Sequence, residues 1–108
     1  MCILGGEPLA HENIATAAYI IKEVRKVYPD IKIYLWTGYT FETLNYQLKQ
    51  PFSPYIENLS YIFNNINYMI DGPFVQEKRD VSLFMRGSAN QRIIDMKTKQ
   101  FIDNIEKL

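Results

Sequence analysis

The tetrapeptide Gly5-Gly6-Glu7-Pro8 follows the apolar run Met1 to Leu4 and is the part of the chain best suited to gripping a ligand. Consecutive glycines at a strand end let a ligand approach bare backbone, and a fixed carboxylate beside them can hold an ammonium group. The same short element also serves as a plain strand-to-helix turn with an incidental acid. Two comparable loops lie downstream: Thr37-Gly38-Tyr39 closes the run Ile31 to Trp36, and Asp71-Gly72-Pro73 closes Tyr68-Met69-Ile70. In a parallel sheet the carboxyl ends of the strands line one crevice, so the three loops would converge on one small molecule. Acids and glycines are common in loops of any kind, and the competing reading is three ordinary turns.

Period and punctuation supply the elements that must hold these loops. Ile14, Ala17, Ala18, Ile21, Val24 and Tyr28 recur at helical spacing up to the breaker Pro29. Ile31 to Trp36 is rich in β-branched and aromatic residues and reads as a strand. Thr40 can cap the short helix after it, with Glu42 in the first turn complementing the dipole and Pro51 beyond its end. Ser53 caps a further helix with Pro54 at its first position, and Ile56, Leu59, Ile62, Phe63 and Ile66 form its apolar stripe. Arg92 to Met96 fits a short strand. Phe101, Ile102 and Ile105 predict a last surface helix within Lys97 to Leu108. Strands separated by helices imply parallel pairing through crossovers, hence a single α/β domain over residues 1–108.

Bulk composition narrows the function. With 12 basic and 12 acidic residues in 108, no charge excess favours nucleic acid or an anionic membrane. No apolar stretch reaches the ~20 residues that span a bilayer, and no basic segment precedes an apolar leader, so the expected location is the cytoplasm. Phosphate binding at the first turn is opposed by Glu7, a carboxylate where the anion would sit. His11 has no nucleophile or second base at a supporting spacing and reads as a residue of the first helical turn.

Four segments, taken in order, carry a resemblance: Ile3-Leu4-Gly5-Gly6-Glu7-Pro8-Leu9, Tyr34-Leu35-Trp36-Thr37-Gly38-Tyr39-Thr40, Ile70-Asp71-Gly72-Pro73-Phe74 and Phe84-Met85-Arg86-Gly87-Ser88-Ala89-Asn90-Gln91-Arg92. The chain resembles the activating proteins of anaerobic (class III) ribonucleotide reductase, radical S-adenosylmethionine enzymes, from Met1 to about Asp95. The resemblance implies part of a (β/α)6 TIM-like partial barrel lacking its first strand and helix. It also implies S-adenosylmethionine and a [4Fe–4S] cluster as cofactors, and the large subunit of anaerobic ribonucleotide reductase as partner. The implied activity is generation of that subunit's glycyl radical through reductive cleavage of S-adenosylmethionine. Position by position, it makes Gly5, Gly6 and Glu7 the hold on the cofactor's amino group. Asp71 corresponds to an acid on a later strand near the cofactor, although relatives often continue with a lysine where this chain has Pro73. Asn90 and Arg92 fall in a segment near the cofactor carboxylate or ribose, and an arginine fork suits a carboxylate. Their competing roles are structural: Asp71 capping a turn, Asn90 satisfying loop backbone, Arg92 as a surface strand charge.

The departure from the family is the cluster loop. The family binds its cluster through C-x3-C-x2-C ahead of the glycine motif, whereas this sequence has a single cysteine, Cys2, within the first strand. One thiolate cannot hold the cluster, so no residue here is expected to be catalytic or a metal ligand. Two expectations follow. Either these residues belong to the C-terminal part of a longer activase, inactive without its N-terminal piece, or they form a non-catalytic partner-binding or regulatory module for the reductase. In either case the uncovered edge of the first strand invites another segment or a second copy. Tyr34 to Phe41 and Phe74 to Phe84 are candidates for a docking face, with core packing as the alternative for Trp36 and Phe41.

Overall fold

The computed structural model describes residues 1–3, 6–79, 86, 88 and 90–102. Their strands are β1 (Cys2–Ile3), β2 (Tyr34–Trp36), β3 (Tyr68–Asp71), β4 (Arg92–Asp95) and β5 (Gln100–Ile102), joined in one sheet in the order β1-β2-β3-β4-β5. The helices are α1 (Ile14–Val27), α2 (Phe41–Leu48) and α3 (Pro54–Asn65), with a 3₁₀ turn at Gln76–Lys78. The pairs β1–β2 and β2–β3 are parallel, as the intervening helices require. The sheet is not wholly parallel, however, because β4 and β5 add antiparallel strands.

Local chemistry explains the helix starts. Thr40 Oγ1 accepts from the Thr43 amide and Ser53 Oγ from the Ile56 amide, each satisfying one of the amides a helix leaves unpaired at its first turn. Pro54 occupies the position where a missing N–H costs nothing. α1 begins only at Ile14, so His11 precedes the helix and stacks on Tyr55 with ring centroids 4.0 Å apart. The delay has a cause. The Glu7 carbonyl accepts from the Ala10 amide and from Asn13 Nδ2, folding residues 7–13 into turns.

The expected helix over Lys97 to Leu108 is replaced, through residue 102, by a turn and β5; residues 103–108 lie outside the described part. Asp95 Oδ1 accepts from the Lys97 and Thr98 amides, and Lys99 adopts φ 61°. That aspartate-led reversal turns the chain back onto β4 before a helix can start.

Strand alternation sorts the side chains onto two faces. Leu35, Met69 and Ile94 join Ile14, Ile21, Leu44, Leu59 and Ile62 in one buried cluster, so all three helices cover that face. Tyr34, Trp36, Tyr68, Ile70 and Ile93 point the other way, with Tyr34 and Tyr68 stacked at 5.2 Å. Ile70 and Ile93 are buried there too. At the opposite end from the glycine loops, Arg25 donates to the carbonyls of Pro29, Ile31 and Asn65 and to Asn67 Oδ1, which also accepts from the Ile33 amide. One guanidinium thereby ties the end of α1 to the end of α3 and to the entries of β2 and β3.

Candidate functional site

The carboxyl ends of β1, β2 and β3 do meet. Glu7 is the joint: Oε2 accepts from the Leu9 amide (3.0 Å) and Thr37 Oγ1 (2.8 Å), and Oε1 accepts from the Gly38 amide (2.7 Å). Three donors fix the carboxylate in one orientation between the first two strand loops. A Cβ on Gly38 would sit 3.3 Å from Glu7 Oε1, so glycine there lets the amide close on the acid. The next loop is tied in through the Thr37 amide to the Ile70 carbonyl (2.9 Å) and the Gly72 amide to the Tyr39 carbonyl (2.9 Å).

Between these loops lies an open cleft of about 280 Å³. Gly6, Glu7, Thr37 and Gly38 form its wall from the first two strands, and Trp36, Gly72, Phe74 and Gln91 continue it across the sheet. Gly6 (φ 24°) and Gly72 (φ 97°) both take left-handed backbone, which L side chains rarely adopt. Gln91 binds the far wall together: its Nε2 donates to the Gly72 carbonyl (3.0 Å) and its Oε1 accepts from the Ser88 amide (3.2 Å).

The predicted site residues divide into two groups. Gly6 and Glu7 line the cleft; Gly5 lies outside the described residues. Asn90 sits beside Gly72 at the cleft's far end, donating through Nδ2 to the Pro73 carbonyl (2.7 Å) and accepting from Ser88 Oγ (2.6 Å). Asp71 and Arg92 pair across β3 and β4, but their side chains share the helix-covered face with Met69 and Ile94. Asp71, with no exposed surface, accepts from the Phe41 amide at the start of α2 (2.7 Å). Arg92 donates Nε to Asp71 Oδ1 (3.0 Å) and Nη2 to Oδ2 (2.5 Å), and reaches both oxygens of Glu42 (2.9 and 2.6 Å). This clamp fixes the first turn of α2, and with it the 37–40 loop. Trp36 and Gln91 were not singled out as site residues from the sequence. The signal for Gln91 was available only through the antiparallel pairing that sets it opposite Gly72.

The clamp polarises its members. Hydrogen bonds from Arg92, then from backbone, pull the Glu42 carboxyl from its ordinary 4.5 down to about 2, and both acids raise the Arg92 guanidinium. A depressed folded-state pKa contributes stability above the unfolded value, which is lost as pH falls towards the folded one. Because the Glu42 side chain is 63% exposed, the gain is under about 1 kcal/mol. Urea melts should therefore show stability slipping between pH 4.5 and about 2, and Glu42→Gln should flatten that segment. An unchanged slope in the variant would assign the acid sensitivity elsewhere.

Among the described residues no group of three or more His, Cys, Asp or Glu side chains is placed to hold a metal ion. No described helix is long and apolar enough to cross a membrane. Tyr39 and Phe74 are exposed while Leu35 and Phe41 are buried, so the aromatic stretch after Ile33 divides between surface and core; Phe84 lies outside the described residues.

A family model described as a 4Fe-4S single cluster domain matches residues 1–94. The chain is similar to the anaerobic ribonucleoside-triphosphate reductase-activating protein of Haemophilus influenzae, 39% identical over 93 residues, which are 86% of this chain and 53% of the relative. Proteins of the same name match from Vibrio cholerae (37% over 93 residues, 86% and 53%) and Enterobacteria phage T4 (32% over 93 residues, 86% and 51%). The chain thus spans about half the length of the curated relatives it matches. No solved structure gives a significant match.

Proposed function

The chain belongs to the 4Fe-4S single cluster domain family, and from that premise we propose that its cleft is the S-adenosylmethionine wall of a radical activase serving anaerobic ribonucleotide reductase. The observation that carries this reading is Glu7, held by three donors at the mouth of a glycine-lined cleft. A carboxylate fixed in that way, with backbone on either side, suits an ammonium and repels phosphate. When bound, S-adenosylmethionine supplies a sulfonium whose carbon–sulfur bond can be cleaved reductively. The chain's own residues bind and orient it: Glu7 with the Gly5-Gly6 backbone takes the amino group, Gly38 and Gly72 leave room for its body, and Asn90 borders the far end. Asp71 and Arg92 hold the 37–40 loop from behind.

The cluster does not fit this donor set. A single cysteine cannot supply the thiolates. In our reading the thiolates come from another segment or chain, which would also cover the outer edge of β1, unpaired among the described residues, and the exposed Ile20 and Val27 of α1. That arrangement extends the sheet towards a (β/α)6 partial barrel. Exposed Tyr39 and Phe74 lie at the same end and suit contact with the reductase. The single cysteine also supports a second reading, a non-catalytic module that binds the reductase without activating it.

Anaerobic incubation with iron(II) and sulfide should leave the isolated chain without a cluster chromophore and the reductase without a glycyl-radical resonance. Adding a polypeptide that carries a C-x3-C-x2-C segment should restore both. Stoichiometric cluster uptake by the chain alone would overturn the dependence. Restored cluster without any radical would support the non-catalytic module.

A further inference from the structure

We propose that Tyr55 is a positioning residue for the Glu7 carboxylate: its hydroxyl, covered by His11, holds Leu9, and Leu9 aims the acid into the cleft. The inference rests on the function proposed above and assigns part of its selectivity to a side chain from α3. Tyr55 is not itself on the cleft wall. It lies in the first turn of α3, and its hydroxyl donates to the Leu9 carbonyl at 2.9 Å. From the same residue, the Leu9 amide donates to Glu7 Oε2 at 3.0 Å, while the Leu9 side chain is wholly buried in the core. Leu9 is thus gripped at its side chain and its carbonyl, which fixes the direction of its amide.

The other two donors to Glu7, Thr37 Oγ1 and the Gly38 amide, both belong to the loop after β2. Leu9 is the donor on the acid's own turn that opposes them, so losing its aim lets that pair draw the carboxylate towards β2. Losing Thr37 alone does not, since Gly38 and Leu9 still hold the acid from two sides. The phenol is equipped for this task. The His11 imidazole lies flat on the Tyr55 ring, with centroids 4.0 Å apart and planes 13° from parallel. Shielding from water strengthens a hydrogen bond electrostatically. Burial first, then the nearby Tyr39 and Glu7, push the phenol above its ordinary 10, so at neutral pH it keeps the proton it donates. His11 thereby gains a role that its spacing along the chain did not suggest.

Tyr55→Phe removes the hydroxyl and keeps the ring, which isolates the bond to Leu9. With the full chain, competition saturation-transfer NMR would compare S-adenosylhomocysteine with its desamino analogue. Scalar couplings across the hydrogen bonds would connect the Leu9 and Gly38 amides to the Glu7 carboxyl carbon. The variant should lose the Leu9 coupling and lower the preference for the amino-bearing ligand roughly threefold, near the low end of what a neutral hydrogen bond is worth. His11→Ala should move both readings the same way, and His11→Phe should restore them. Ser53→Ala is the control, because it removes the cap of the same helix without touching Leu9. Its melting temperature should fall comparably while preference and couplings stay put. A Tyr55→Phe chain that retains the parent's Leu9 coupling or its preference would overturn the positioning role, as would a parent without that coupling. An equal loss of preference in Ser53→Ala would also overturn it, by making the packing of α3 the cause. Should the parent show no preference for the amino-bearing ligand, the cofactor reading of Glu7 fails, and the Leu9 coupling alone decides whether Tyr55 positions the acid.

Discussion

Asp71→Ala should destabilise the protein by about 3 kcal/mol. The carboxylate has no exposed surface and accepts from the Phe41 amide and twice from Arg92. Its removal leaves a helix-start amide and one side of a guanidinium without their acceptor. Breaking a buried charge pair costs about 3–5 kcal/mol, and the lower end applies because the Arg92 side chain is 36% exposed and keeps Glu42. In a domain of this size the melting temperature should fall by roughly 10–20 °C. Asp71→Asn should lose less, since an amide oxygen can still accept from Phe41. A double-mutant cycle with Arg92→Met should return a coupling above about 1 kcal/mol. An alanine variant melting within about 3 °C of the parent would show that the clamp contributes nothing.

The clamp also marks where sequence reasoning stops. Asp71 and Arg92 could be read as polar groups at strand ends, and their chemistry matched a ligand site. Asp71 takes the face of Met69, set by pairing with β2, and Arg92 joins it there only because β4 runs antiparallel to β3 with Arg92 opposite Asp71. Nothing local to Arg92 encodes that register, and a one-residue slip of β4 would have turned it to the opposite face, whereas the face of Asp71 follows from β3 pairing with β2. By contrast, the starts of α2 and α3 were legible to the residue, because Thr40, Ser53 and Pro54 act on their own neighbours. The convergence of Glu7 with Thr37 and Gly38 was legible for a different reason: parallel strands joined by helices put their carboxyl ends on one side whatever the register. Through residue 102 the tail departs from the expected helix because the deciding signal was Asp95, two and three residues ahead of the amides it binds.

Glu7→Gln should cost the chain its hold on the amino-acid end of S-adenosylhomocysteine, lowering affinity by at least about tenfold. A hydrogen bond to a charged partner is worth about 1.5–3 kcal/mol, which converts to a factor between about 10 and 150. The substitution is nearly isosteric, yet it replaces an acceptor-only group by one whose NH2 must face Gly38 N–H or Thr37 Oγ1, so a loss of about 1 kcal/mol in stability accompanies it. Two controls separate these effects. A desamino analogue of the ligand lacks the ammonium, and its affinity should be the same for parent and variant if Glu7 acts on the amino group alone. Thr37→Val removes one donor to Glu7 without touching its charge, and should lower stability while leaving most of the ligand's affinity. Competition saturation-transfer NMR reads all of these even when binding is weak. Should Glu7→Gln bind S-adenosylhomocysteine as the parent does, the three donors around the carboxylate hold the loops of β1 and β2 together and nothing more, because an acid that grips an ammonium cannot be neutralised without consequence.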